Sequence, residues 1–368
     1  MRRLIVCADG TWQSDEASDG RGVTNVVKIR NANDPHPPGG MEQIVFYDKG
    51  VGVGGWWSRV MGGAFGDGLS ENVRECYSFL VRTFQPGDEL FFFGFSRGAF
   101  TVRSLAGLVR KCGILPVDDA GQIKEAYEFY RKRGEEYHPS GERAIQFRKD
   151  HRSRETSIKC VGVWDTVGSL GVPTGGPIGM FTRNRYGFHD VRLSSAVENG
   201  FHALAIDERR KPFSPALWHV REKDLQTDAH QRIEQRWFAG VHSNVGGGYP
   251  ECGLSDVALR WMMKCAGECG LQLKPGVLDG LKCDCADRLH DSMSPWFRVF
   301  GIHERGINEE QRDPDTGDRL VTFEDVDDTV RERHGKGLTP PYATPGFIRY
   351  WQSNPDRWKP HQPPARVG

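Results

Sequence analysis

The sequence predicts an α/β fold: a mostly parallel sheet with helices on both faces, a helical insertion and an irregular C-terminal extension. Two observations predict it. Short, continuous apolar runs such as Leu4-Ile5-Val6-Cys7-Ala8 and Leu90-Phe91-Phe92-Phe93 have strand length. Such runs suit strands covered on both faces. Between them lie longer segments with helical periodicity. In one, Val73, Cys76, Tyr77, Leu80, Val81 and Phe84 form a single apolar face. Strand and helix in alternation argue a parallel sheet joined by crossover helices.

The elements follow in order. Residues 4–8 are the first strand, ending in Asp9-Gly10-Thr11-Trp12. Gln43 to Tyr47 is the second. A glycine-rich loop from Gly50 to Gly68 carries Trp56, Trp57, Met61 and Phe65. Ser70 is a suitable N-cap for the next helix. Pro86-Gly87-Asp88 turns the chain into a strand at Glu89–Phe93, and Ala99 to Lys111 is helical. Residues 116–155 are charged, with a helix near Gln122 to Arg133, and read as an insertion. Ile158 to Trp164 is a strand ending in Asp165-Thr166-Val167-Gly168. Ala196 to Arg209 is expected to be helical. Arg236 to Val241 is a strand ending in His242, and Ser255 to Gly270 is a helix ended by glycine. The expected organisation is a core over 1–274 and an extension over 275–368 packed on it, with a loose tail from Pro355.

Composition narrows the function. Lys+Arg and Asp+Glu are both 49 in 368 residues, a net charge of zero. With no basic stripe, a nucleic-acid partner is not expected. The mean hydropathy is -0.56, and no apolar run is long enough to span a membrane. The apolar stretch after Met1-Arg2-Arg3 is too short for a signal peptide. The expectation is a chain that is cytoplasmic as synthesised. Nine scattered cysteines suggest reduced thiols. Cys265, Cys269, Cys283 and Cys285 have C-x3-C and C-x-C spacings, unlike ordinary zinc knuckles, so no metal is expected.

The chemistry centres on Gly94-Phe95-Ser96-Arg97-Gly98, a G-x-S-x-G between a strand and a helix. This is the nucleophile elbow of the α/β-hydrolases. A serine attacks well when it protrudes from a sharp turn, and the two glycines remove side chains that would collide there. Three strands end in triad-type residues: Ser96, Asp165 and His242. In open α/β sheets catalytic groups sit just beyond such ends. Ser96 is the expected nucleophile, His242 its base, and Asp165 the acid that orients the base. Asp207 is the rival acid. It lies in a helical pattern where an ion pair with Arg209 or Arg210 is the simpler reading. His202 and His219 are rival histidines, and His202 suits a buried structural role. The Arg97 amide is an expected oxyanion donor; Asp9-Gly10-Thr11 is either the source of the second donor, from Gly10 or Thr11, or a plain tight turn in which Asp9 holds local amides.

Gly50-Val51-Gly52-Val53-Gly54-Gly55 also fits G-x-G-x-x-G. Trp56 and Trp57 stand where small helix residues are needed, and no acid ends a strand about twenty residues on. No nucleotide or other cofactor is therefore expected. Trp56 and Trp57 instead suit a loop that covers an apolar substrate, with peripheral membrane contact as a further use.

Assembled in order, these blocks resemble the DUF2235 family of α/β-hydrolases, to which type VI secretion lipase effectors of the first class belong. The blocks are D-G-T-W (Asp9–Trp12), G-V-G (Gly50–Gly52) and P-G-D-E-L-F-F-F-G-F-S-R-G-A-F (Pro86–Phe100). They continue with G-V-W-D-T-V-G (Gly162–Gly168), A-L-A-I-D-E-R (Ala203–Arg209) and W-F-A-G-V-H-S-N-V-G-G-G-Y (Trp237–Tyr249). The resemblance covers roughly residues 1–270. It implies a serine esterase or phospholipase acting on an acyl ester or lipid, with the triad on Ser96, Asp165 and His242. The effectors of that family carry large membrane-facing additions that this chain largely lacks, so the resemblance leaves export by a specialised secretion system open rather than expected. In that family the residue two after the histidine is usually Asp; here it is Asn244. The alternative expectation is a catalytically silent scaffold that binds an acyl ligand or a protein partner.

Overall fold

The computed structural model describes residues 1–10, 22–50, 65–167, 192–225, 231–298, 301–314, 316–355 and 357. The described strands are β1 (Arg3–Ala8), β2 (Gln43–Asp48), β3 (Glu89–Phe95), β4 (Cys160–Trp164), β5 (Asn199–Ala205), β6 (Val220–Arg221), β7 (Arg232–Phe238), β8 (Gln311–Arg312), β9 (Arg319–Val321) and β10 (Glu324–Val326). Seven of them form one sheet in the order β10-β7-β5-β4-β3-β1-β2, with every pair parallel. The expected α/β class is the observed one. β6, β9 and β8 make a small antiparallel sheet.

The described helices are α1 (Asn25–Ala32), α2 (Phe65–Thr83), α3 (Arg97–Cys112), α4 (Ile123–Tyr130), α5 (Glu142–Asp150), α6 (His242–Gly246), α7 (Gly253–Glu268), α8 (Pro295–Arg298), α9 (Asp328–Gly335) and α10 (Pro345–Ser353). Successive strand residues point to opposite faces. Leu4 and Val6 join Val73, Tyr77 and Leu80 of α2 and Leu105 of α3 in one cluster. Ile5 and Cys7 join Val26 and Ile29 of α1 and Leu259 and Met262 of α7 in another. All are essentially buried, each worth roughly 1.5–3 kcal/mol for a large side chain. Both faces are therefore covered, as the continuous apolar runs require.

Four local expectations need correction. Ala196 to Arg209 is not a helix: residues 199–205 form β5, between β4 and β7. Alternate residues face opposite layers, so Phe201, Ala203 and Ala205 enter one cluster, and a central strand shows no polar face to mark it. Ser70 lies inside α2, which starts at Phe65, and is not its N-cap. The strand before His242 begins at Arg232 and ends at Phe238. The extension is more than irregular packing, because β10 pairs with β7 and completes the sheet. Helix α1 had no expectation; Thr24 caps it by accepting the Val27 amide at 3.2 Å.

Candidate active site

Strand order decides which chain ends meet. β3 and β4 are neighbours, and the Ser96 amide donates to the Trp164 carbonyl at 3.1 Å. β4 is followed by β5 and then β7, and the Asp165 amide donates to Ala203 at 2.8 Å. The turns after β3, β4 and β7 therefore open on one edge of the sheet.

Ser96 stands between β3 and α3 with φ 56° and ψ -116°. This positive φ is unusual for a residue with a Cβ and stores strain. The flanking glycines permit the turn. A Cβ at Gly98 would collide with the Ala8 carbonyl, and one at Gly94 with the carbonyl of Gly98. Arg97 opens α3, and first-turn amides of a helix point toward whatever sits at that end. Burial lowers the Arg97 guanidinium to about 10.

His242 and Asp165 meet. Nδ1 of His242 and Oδ2 of Asp165 are 2.6 Å apart and buried. The imidazole packs on Phe95, with centroids at 4.6 Å, and edge-on to Phe213 at 5.0 Å. Its backbone amide donates to Glu208 at 3.3 Å. Glu208 in turn pairs with Arg210 at 2.8 Å and accepts from Ser292 at 2.9 Å. Asp165, 0% exposed, also accepts the Ala205 amide at 3.1 Å and both terminal nitrogens of Arg305, at 2.5 and 3.1 Å. Burial works to raise its carboxyl, but the Arg305 charge and then the His242 hydrogen bond hold it far below the usual carboxylate range. Sequence reasoning missed Arg305. It sits in a polar stretch, His303-Glu304-Arg305-Gly306, where nothing local marks one arginine as buried.

The rivals occupy other places. Asp207 follows β5 and accepts the Gly240 amide at 2.6 Å and the Tyr342 hydroxyl at 3.1 Å. Arg210 pairs with Glu208 rather than Asp207. His202 lies in β5, not in a helix. Its Nε2 accepts the Thr166 amide at 3.1 Å, and Nδ1 meets Gln235 Oε1 at 3.1 Å. Burial holds its imidazole down at about 3, so it stays neutral. It supports the turn that carries Asp165. Asn244 Oδ1 accepts the amides of Val241 (3.3 Å) and His290 (3.1 Å), and its Nδ2 donates to Arg288 O at 3.1 Å.

Gly10 approaches Ser96 closely: a Cβ there would lie 3.4 Å from Ser96 Cβ and 3.9 Å from its Oγ. Its amide donates to Asp9 Oδ1 at 2.8 Å. Thr24 Oγ1 and Tyr47 OH bond the other Asp9 oxygen, at 2.5 and 3.1 Å. Thr11, Trp56 and Trp57 lie outside the described residues. The four cysteines Cys265, Cys269, Cys283 and Cys285 are free thiols, and among the described residues no group of His, Cys, Asp or Glu converges as metal ligands would.

The chain is similar to several known proteins. A family model described as "T6SS, Phospholipase effector Tle1-like, catalytic domain" matches residues 2–265. An uncharacterized protein of Saccharomyces cerevisiae is 29% identical over 232 residues, which is 58% of this chain and 32% of that one. A crystal structure of an uncharacterized protein from Pseudomonas aeruginosa is 18% identical with a TM-score of 0.43, covering 81% of this chain and 48% of the other. A structure of the Tle1 effector bound to the VgrG spike of the type 6 secretion system is 14% identical with a TM-score of 0.45, covering 87% and 90%. The chain thus spans 32% and 48% of the lengths of the first two relatives.

Proposed function

The chain belongs to the family of T6SS phospholipase effectors with a Tle1-like catalytic domain, and we propose from that premise that it is a serine hydrolase of carboxylic esters, acyl lipids foremost. Ser96 is the nucleophile, His242 the base and Asp165 the orienting acid. The observation that carries this reading is the buried 2.6 Å contact between His242 Nδ1 and Asp165 Oδ2, beyond the strand end next to that of Ser96. A carboxylate on Nδ1 fixes the tautomer that leaves Nε2 as the proton acceptor.

The steps follow. Ser96 Oγ attacks the acyl carbonyl and its proton passes to His242 Nε2. The oxyanion takes the Arg97 amide. The second donor is assigned to the Asp9-Gly10-Thr11 turn, in which the Gly10 amide also bonds Asp9. Collapse expels the alcohol with the proton from His242, leaving acyl-Ser96. Water, deprotonated by the same imidazole, releases the acid and frees the serine. No metal or organic cofactor enters. The loop with Trp56 and Trp57 is assigned the cover over the acyl chain, and contact with lipid is peripheral. Family membership is also the ground for proposing export by a type VI secretion system from the cytoplasm where the chain is made.

A fluorophosphonate probe tests the reading, since only an activated serine reacts with it. The wild type should be labelled and should hydrolyse members of a panel of acyl esters and phospholipids. Ser96→Ala and His242→Ala should lose both properties. Asp165→Asn should lose about 10⁴-fold in turnover, as triad acids do. A folded wild type that stays unlabelled and inactive would point instead to a scaffold binding an acyl ligand or a protein.

A further inference from the structure

We propose that Arg305 is a positioning residue of the hydrolase, clamping Asp165 from the C-terminal extension, so that the catalytic apparatus is completed only by residues beyond the family's catalytic domain. The inference rests on the triad reading above and adds a residue to it. The matched domain ends at residue 265, and Arg305 lies past it. Its NH1 and NH2 donate to the two oxygens of Asp165 at 2.5 and 3.1 Å. The same nitrogens donate to the carbonyls of Ala205 at 2.7 Å and Phe213 at 2.5 Å. Arg305 is only 3% exposed.

Two consequences follow from this geometry. The first is orientation. A carboxylate has about four acceptor sites. Here they are filled by His242 Nδ1, the Ala205 amide and the two guanidinium nitrogens. A bidentate guanidinium fixes the plane of a carboxylate more firmly than a point charge does. The imidazole plane is fixed in turn. Arg305 also holds Phe213, whose ring flanks His242, so one side chain sets both the hydrogen bond and a wall of the imidazole slot.

The second consequence is electrostatic. A buried anion beside an imidazole stabilises the imidazolium; a cation on the far side of that anion offsets it. Arg305 therefore offsets part of the negative field that Asp165 presents to the imidazole. The other charged and titratable groups that interact with this centre are Glu208, with its partner Arg210, beyond β5 and His202 within β5, beside which Arg103 of α3 lies. Glu208 is paired with Arg210 and His202 is neutral. Arg305 is the cation in direct contact with Asp165.

The extension also leaves space beside the clamp. A cavity of about 670 Å³ is lined by Arg305, Val241, Asp207, Arg333 and Tyr342. Truncating Arg305 would join its vacated volume to that cavity, giving a small cation a route to Asp165.

The experiment uses the full chain. Arg305→Met should lower kcat on a soluble short-chain ester by ~10²-fold or more, with KM nearly unchanged, because the substrate does not touch Arg305. Arg305→Lys, which keeps the charge and loses the fork, should recover at least ~10-fold of that loss. Millimolar guanidinium should raise the turnover of Arg305→Ala and leave wild type unchanged. Independently of turnover, the His242 imidazole is titrated by NMR in a Ser96→Ala background. Adding Arg305→Met should raise its midpoint, because the cation facing Asp165 is lost, and Arg305→Lys should raise it less. If Arg305→Met does not fold, the Lys variant carries both comparisons. An unchanged midpoint and kcat in a folded Arg305 variant, with only the melting temperature lowered, would overturn the proposal. The NMR readout does not need hydrolysis: inactive wild type would sink the hydrolase reading, while the midpoint shift would still decide whether Arg305 sets the Asp165–His242 pair.

Discussion

Asp207 and Gly240 bond each other in both directions. The Asp207 amide donates to the Gly240 carbonyl at 3.0 Å, and the Gly240 amide donates to Asp207 Oδ2 at 2.6 Å. Gly240 has φ 123° and lies two residues before His242. This pair fixes the turn from which His242 projects, and the Tyr342 hydroxyl ties the same carboxylate to the extension. Asp207 thus bonds the Gly240 backbone and the Tyr342 hydroxyl.

Its protonation should be visible in stability. Burial pushes the Asp207 carboxyl up to about 6, against the Gly240 and Tyr342 hydrogen bonds. The unfolded chain has an ordinary Asp near 3.9. The folded state therefore binds the proton more tightly, and the contribution is largest below the unfolded value. It declines as pH rises from about 4 through about 6. Two units correspond to roughly 3 kcal/mol as an upper figure. Relative to Asp207→Asn, the wild type should gain stability on acidification from pH 7 to 5, measured by chemical denaturation. Turnover of Asp207→Asn should stay within a few-fold of wild type. Parallel stability curves for the two proteins would contradict the assignment, and a ~10⁴-fold loss of turnover would make Asp207 the acid.

Ser96 carries the strain of the turn between β3 and α3. Glycine adopts its φ of 56° without a Cβ clash. Ser96→Gly should therefore abolish hydrolysis and raise folding stability by about 1 kcal/mol, whereas Ser96→Ala should abolish it with no such gain. Urea midpoints and ester hydrolysis measured on the same preparations separate the outcomes. Equal stabilities for Gly and Ala variants would show that the turn is relaxed.

Asn244 departs from the Asp expected by resemblance, and its contacts say what the amide does. Nδ2 donates to the Arg288 carbonyl, which a carboxylate cannot do. Oδ1 takes two backbone amides, from Val241 and His290. Asn244→Asp should keep the amide bonds, lose the Arg288 bond and place an anion against a carbonyl. The expected cost is about 1–3 kcal/mol in stability with kcat changed by less than ~3-fold, since these contacts go to backbone. A much larger effect on kcat would mean that residue 244 acts on His242 directly.

The strand ends were legible because they carry local signals: an apolar run, then Asp165 or the G-x-S-x-G around Ser96. Asp165 and His242, far apart in the chain, meet as their strand-end positions suggested. β5 was misread because His202, a polar residue, is buried there on Thr166 and Gln235. Tertiary contacts, invisible locally, satisfy it. Arg305 was illegible for the same reason. Its partners are 140 and 100 residues away, and an isolated Arg in a polar stretch reads as solvent-exposed.

The last relationship runs through a glycine. Gly246 ends α6, and a Cβ there would collide with the ring of Phe95. Phe95 is 2% exposed and lies against the His242 imidazole, with centroids at 4.6 Å. It cannot retreat, because protein interiors are close-packed. Gly246→Ala should therefore push Phe95 toward His242 and disturb the base without altering a triad residue. The expected loss is about tenfold or more in kcat, since small misplacements of catalytic groups are costly. Phe95→Leu, a smaller side chain, should relieve the collision. The double variant Gly246→Ala with Phe95→Leu should then be more active than Gly246→Ala alone, a non-additivity expected of residues in contact. Additive losses, with Gly246→Ala lowering only the melting temperature, would show that the imidazole is held by Asp165 and Arg305 regardless of the ring beneath it.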